Sequence, residues 1–251
     1  MQVLQPIAYE EQIRSLIDIW RFDNYLPDGR SSNYNGRTQG GSNADNVLAD
    51  AYVKGIRGAV NWEDGYKAML KDAEVTPPNN NKPVDPMAPD SSTKDGRGAL
   101  PDWLELGYIR SPRFSRAVTR AVEYACNDFG LYQVASGLGR GGDAEKYLNR
   151  SRNWRNHWNS EQTSLGFKGF VVPRNSSGFV ETDPLKDTGY WSDPFYEASS
   201  WAYSWAGVHD MKQLVTMMGG PQTVLKRLDI MFEKGADGSD DGTILDPTNE
   251  P

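Results

Sequence analysis

The chain has 251 residues, 37% apolar and 11% aromatic, with eight Trp and twelve Tyr. That is long enough for one large domain or two small ones with a substantial core, and too aromatic for generic disorder. Lys and Arg total 27 against 34 Asp and Glu, a net charge of -7, so the basic balance of a nucleic-acid binder is missing. No apolar run approaches the ~18 residues of a membrane span. The single cysteine, Cys126, excludes an internal disulfide and a Cys-based zinc site, and its apolar helical setting is that of a small buried hydrophobe.

Helical periodicity dominates the chain. Ile13, Leu16, Ile17 and Trp20 lie at i, i+3, i+4 and i+7, which predicts an amphipathic helix over about Tyr9 to Phe22. PDGRSSNYNGRTQGGS then has the composition of a surface loop. A second helix starts after Ser42 or Asn43, either a good N-cap, and ends at Gly55. Trp62, Tyr66, Met69 and Leu70 give a third, opened by Asn61. The Pro/Asn/Ser-rich stretch from Thr76 to Gly98 lacks periodicity and reads as a long loop or exposed insertion. Leu100 to Leu106 is a short helix. Phe114, Val118, Ala121, Val122, Ala125 and Phe129 predict a long one running to about Leu138. Ala144, Tyr147, Leu148, Ser151, Trp154 and Trp158 predict its successor. FKGFVVPRNSSGFV, residues 167 to 180, has strand-like ends around an Asn-Ser-Ser-Gly turn and reads as the one hairpin. Glu197 to Ala206, Met211 to Met218 and Val224 to Phe232 complete the helices. The fold class expected is all-α with one small β-hairpin; a bundle, a solenoid and an α/α toroid all fit the periodicity.

Several motifs carry chemistry on their face. Gly137-Leu138-Gly139-Arg140-Gly141-Gly142 has G-x-G-x-x-G spacing but follows a helix rather than a strand, so it reads as a helix C-cap and turn. Asp237, Ser239 and Asp241 before Gly242 copy half of an EF-hand loop, yet position 12 is Thr248, so an acidic turn is expected. Asn249 and Glu250 nearby offer hard oxygen donors. Sequons occur at Asn149-Arg150-Ser151 and Asn175-Ser176-Ser177. Asn149 falls in a helix and Asn175 in a turn, which makes Asn175 the accessible acceptor. The chain opens on MQVLQPIAYEEQ, with no secretory n-region or h-region, and stops at Asn249-Glu250-Pro251 after a loop. Both ends read as cut from something longer.

The richest stretch is Tyr190 to Asp210. Glu197, Trp201 and Trp205 at i, i+4 and i+8 would share a helical face. A carboxyl beside indoles is poorly solvated when ionised, which raises its pKa toward that of a general acid. Aromatic faces also suit sugar rings. The alternative is an amphipathic core helix with Glu197 favoured at its N-terminus by the helix dipole. His209-Asp210 follows directly. Asp45, in the first turn of the second helix, is explained by the dipole alone unless it meets a substrate.

GSNADNVLADAYVKGI, DWLELGYI, YEASSWAYSWAGVHDM and the final NEP, in this order, resemble glycoside hydrolase family 92, calcium-dependent inverting exo-α-mannosidases. The resemblance implies that residues 1–251 are an incomplete (α/α)6 toroid catalytic domain, without the family's N-terminal β-sandwich and C-terminal helices. It implies release of terminal α-linked mannose, α-1,2 in the first place, from a mannose-containing glycan in a secreted or extracellular setting. Glu197-Ala198-Ser199-Ser200-Trp201 matches the family's Glu-Gly-Asn-Ala-Trp, making Glu197 the catalytic acid. Val208-His209-Asp210 matches Pro-His-Asp, and Asn43-Ala44-Asp45 matches His-Ala-Asp. Asp45, Trp201, His209 and Asp210 are thereby substrate-binding, and Asn249 and Glu250 bind Ca2+. The family's general base lies in a later motif, beyond Pro251, so this chain alone is expected to be inactive. A non-catalytic glycan-binding protein and another α/α-toroid glycosidase or phosphorylase are the other readings.

Overall fold

A computed structural model of the chain describes residues 2–28, 42–78, 96–186, 193–196 and 198–233. It is mostly helical and divides into two compact units, Met1–Gly107 with Glu123–Arg152, and Tyr108–Val122 with Asn153–Pro251. None of the described helices is long and apolar enough to cross a membrane.

The first unit contains α1 (Pro6–Asp23), α2 (Asn43–Val53), α3 (Trp62–Glu74), α4 (Leu100–Leu106) and α6 (Gly141–Arg150), with the C-terminal part of α5 (Ala117–Gly137). Each boundary has a local cause. Pro6 opens α1, where its missing N–H costs nothing. Asn24, in the left-handed region at φ 72°, closes it by donating its N–H to the Trp20 carbonyl. The Asn61 side chain accepts from the Asp64 N–H and caps α3. The glycine-rich motif after α5 is a helix end and turn, as its context implied. Gly139 sits at φ 73° and the Arg140 N–H reaches the Ala135 carbonyl. Ile13, Ile17, Leu48, Tyr66, Met69, Leu131, Val134 and Tyr147 form the core.

The second unit differs from expectation in two places. α6 stops at Arg150, and Trp154 lies in a 3-10 turn, Asn153–His157. Trp158 begins β1 (Trp158–Ser164), antiparallel to β2 (Phe167–Val171). The spacing of Trp154 and Trp158 does mark a shared side, since their rings meet edge to face at 6.1 Å. The backbone between them is simply not α-helical. The second correction follows: 167–180 is not one hairpin. Its first half is the return strand of the β1–β2 hairpin, turned by Leu165 (φ 49°) and Gly166 (φ 81°), as a two-residue primed turn requires. Its second half is a small hairpin, β3 (Arg174–Asn175) and β4 (Gly178–Phe179).

After these come α7 (Ser200–Tyr203), a 3-10 turn at Val208–Asp210, α8 (Met211–Met217) and α9 (Pro221–Met231). The expected helix over 197–206 is a single turn. Ser199 is extended (φ -105°, ψ 173°) and its side chain caps α7, and Trp205 follows the helix.

Two devices tie the sheet of this unit together. Gly169 (φ 88°) lies under Trp158, where an added Cβ would fall 2.5 Å from Cζ2. Arg227 of α9 is fully buried and donates through Nη1 to the Lys168 and Gly169 carbonyls, at 3.2 and 2.9 Å. Its guanidinium stacks 4.3 Å from the Phe170 ring and 5.2 Å from Trp201. Burial pushes its pKa down to about 10. His157 is a buried linker of the same kind. Its Nε2 accepts from the Ile109 N–H at 3.2 Å, so the proton sits on Nδ1 and goes to the Val172 carbonyl at 3.0 Å. The arrangement needs a neutral imidazole, and burial holds the pKa down near about 4.

Candidate active site

In the first unit Asp45 sits at the start of α2, where Ser42 precedes the helix. The Ser42 hydroxyl caps no backbone N–H; it donates to Asp45 Oδ2 instead. Arg97 donates to the same oxygen at 3.0 Å, to Ser42 Oγ at 3.2 Å and to Asp128 Oδ1 at 2.6 Å. Asp128, inside the apolar α5, also holds both Nε and Nη2 of Arg150, at 2.6 and 2.8 Å, and the Trp103 indole N–H at 2.9 Å. Arg150 continues to Glu74 at 2.8 Å, which Lys146 also meets. Three carboxylates alternate with three cations, so the chain of ion pairs is formally neutral.

The two buried aspartates are treated differently. Burial penalises ionisation at both. Asp128 outweighs it with two guanidinium groups and stays below the usual carboxylate range. Asp45 has half a share of Arg97 and one hydroxyl, and burial lifts it to about 6. Its second oxygen, Oδ1, is buried and has no hydrogen-bond partner among the described residues. A buried acceptor left unpaired is costly, so Oδ1 is the strained point of this ion-pair chain.

In the second unit Trp201 is fully buried. Its indole N–H donates to Ser164 Oγ at 3.0 Å, and its ring meets Phe170 at 5.2 Å and Phe167 at 5.8 Å. His209 and Asp210 lie in the 3-10 turn, both half-buried. Asp210 accepts from the Arg155 Nε at 2.7 Å and the Trp154 indole N–H at 3.2 Å. The structure therefore gathers Trp201, His209 and Asp210 in one unit and Asp45 in the other. Glu197, Asn249 and Glu250 lie outside the described residues. Among the described residues no group of three His, Cys, Asp or Glu is placed to hold a metal. Cys126 is half-buried, and burial together with the nearby Glu123 carboxylate pushes its thiol pKa up.

Arg97 and Asp128 were missed from sequence. Arg97 ends a stretch whose composition reads as loop. Asp128 did carry a signal, as a carboxylate midway along an apolar helical run, where burial calls for a partner.

Comparison with known proteins now bears on this arrangement. Residues 1–251 match the family model described as the glycosyl hydrolase family 92 catalytic domain, so the chain belongs to that family. It is 34% identical to an uncharacterized secreted glycosidase of Arthroderma benhamiae over 97% of the chain, which is 32% of that protein. Its fold is similar to the family GH92 inverting mannosidase BT2199 of Bacteroides thetaiotaomicron, with a TM-score of 0.76 and 27% identity over 90% of this chain and 28% of that one. The α-mannosidase BT3965 of the same organism shares the fold at a TM-score of 0.68 and 21% identity, over 90% of this chain and 27% of that one. The chain spans about a third of the length of the relatives it matches.

Proposed function

We propose that this chain is the central part of the catalytic domain of a secreted exo-α-mannosidase that releases terminal α-linked mannose, α-1,2 linkages included, with inversion. The observation that carries the reading is the match of all 251 residues to the family's catalytic domain. The fold likeness to a protein named an inverting mannosidase supports it, and the relative named a secreted glycosidase supports the compartment. In this reading the helices form part of an (α/α)6 toroid that residues outside this chain complete.

Glu197 protonates the departing glycosidic oxygen, while a carboxylate beyond Pro251 activates water on the opposite face. Inverting enzymes hold these two groups about 6.5–9.5 Å apart to admit that water. Asp45 Oδ1 accepts a sugar hydroxyl. Arg97 and Ser42 grip Oδ2, which fixes the orientation of the unpaired Oδ1. Trp201, His209 and Asp210 serve as further substrate-binding residues of the parent enzyme.

Calcium fits the donor chemistry at the chain's end, since Asn249 and Glu250 supply a carbonyl and a carboxylate, the hard oxygens this ion prefers. When bound, it supplies Lewis-acid polarisation of the sugar hydroxyls.

The full-length protein tests this with an α-1,2-linked dimannoside. Mannose release is expected, lost on chelation and restored by added calcium. Release untouched by chelation would remove calcium from the mechanism. Binding without release would make it a glycan-binding protein.

A further inference from the structure

The chain carries two asparagine sequons, and the structure places them in opposite chemical settings. We propose that Asn175 is an asparagine-linked glycosylation site of the secreted protein and that Asn149 is not. The proposal rests on the secretory route in the reading above; it says nothing of the catalytic site.

Asn175 lies at the tip of the β3–β4 hairpin, paired with Gly178 across a two-residue turn, Ser176-Ser177. Its carboxamide oxygen accepts from the Ser177 N–H at 2.8 Å. That turn folds the three residues of the sequon back on themselves, with the Asn amide nitrogen and the Ser hydroxyl on an exposed tip. Ser176 and Ser177 are both exposed, and Asn175 is half-buried. The Asn175 nitrogen makes no hydrogen bond to another described residue.

The pleat supplies the second observation. Side chains alternate between faces along a strand. Arg174 turns toward the body of its unit, with its guanidinium 4.3 Å from the Tyr108 ring and 5.5 Å from Phe179, and it donates to the Asn156 carbonyl at 2.9 Å. Asn175 therefore takes the other face. The cross-strand residue on that face is Gly178, and a Cβ built there meets nothing within 4 Å. The face is open where a bulky glycan needs room. The hairpin that presents it is anchored, because the Ser111 N–H donates to the Arg174 carbonyl at 2.8 Å and Val180 closes on Pro173 at 2.9 Å.

Asn149 is itself exposed, but the rest of its sequon is not presented in this way. It sits in α6, where the Ser151 N–H is spent on the Tyr147 carbonyl at 2.9 Å and cannot reach the Asn149 side chain. Arg152 occupies the Asn149 carboxamide oxygen at 3.1 Å. Ser151 is 2% exposed and its hydroxyl donates to the Leu148 carbonyl at 2.8 Å. A sequon turn like that at Asn175 would require the last turn of α6 to unwind beside Arg150, which holds Asp128 and Glu74.

The modification is a substitution at carbon. The Asn175 amide nitrogen bonds to C1 of an oligosaccharide carried on a lipid pyrophosphate. The C1–oxygen bond breaks, the lipid pyrophosphate leaves with the electron pair, and the nitrogen gives up one proton. Nothing is oxidised or reduced.

The test uses the full-length protein behind a cleavable secretion leader in yeast, so the route is supplied and only the site is in question. Peptide-N-glycosidase treatment followed by peptide mapping reads occupancy at each of these two sequons as the mass shift from Asn to Asp. The wild type is expected to shift once and map to Asn175. Asn149→Gln should still shift, as should Ser177→Thr, which keeps a hydroxyl. Asn175→Gln and Ser177→Ala should not. Ser177→Ala keeps the backbone N–H that makes the turn, so loss of the shift there reports the hydroxyl rather than a collapsed hairpin. An unshifted wild type, or a shift that survives Asn175→Gln, overturns the proposal.

Discussion

Glu197→Gln in the full-length protein is expected to cut turnover of an α-linked dimannoside about 10²–10⁴-fold, the range of a lost general acid. Gln matches Glu in size and accepts hydrogen bonds, but it has no proton to give to a departing alkoxide. The loss should therefore fall on kcat and leave KM nearly in place. An aryl mannoside whose phenolate leaves without protonation should be spared by comparison. A merely structural Glu197 would damage both substrates alike. The alkaline limb of the pH profile, set by the protonated acid, should also disappear in the mutant. Equal turnover of wild type and mutant on the dimannoside would remove Glu197 from the mechanism.

Arg97→Met is expected to cost about 3–5 kcal/mol, the usual penalty for breaking one side of a buried ion pair. Arg97 is fully buried and is the only described cation within reach of Asp45, while Asp128 retains Arg150. Methionine fills the volume and leaves the Asp45 carboxylate without a counter-charge in a site that already lifts its pKa to about 6. Arg97→Lys should recover only part of the loss. One ammonium cannot span Asp45, Asp128 and Ser42 as the guanidinium fork does. The check is the urea midpoint at constant m. A midpoint unchanged in Arg97→Met would mean the ion-pair chain is not holding the first unit together.

How far these sites could be read from sequence follows from the reach of each signal. α1, α2, α3 and α5 were legible because their buried residues recur at helical spacing. β1 was not. Apart from Trp158 it reads NSEQTS, a strand half in solvent, with no apolar alternation to betray it. The strong apolar signal of β2 was visible, so the hairpin was assigned one strand too late. The helix expected over 197–206 failed for a local reason, because Ser199 caps a turn that starts at Ser200. The Asp45–Arg97 pair joins residues 52 apart in sequence, and no local pattern reports such a contact. Asp45 was singled out by its family motif, and Arg97 emerged only from the fold. Glu197 was singled out by residue type and motif match, and it lies outside the described residues.

The central proposal is that this chain belongs to an inverting enzyme acting on α-linked mannose, and the stereochemistry of the first product tests it most directly. Hydrolysis by the full-length protein can be followed by proton NMR in the first minutes, before the free sugar mutarotates. The proposed single displacement, with acid and base on opposite faces of the sugar, predicts that β-mannose appears first and the α anomer grows in later. If α-mannose appears first, the two-carboxylate inverting mechanism is wrong for this protein.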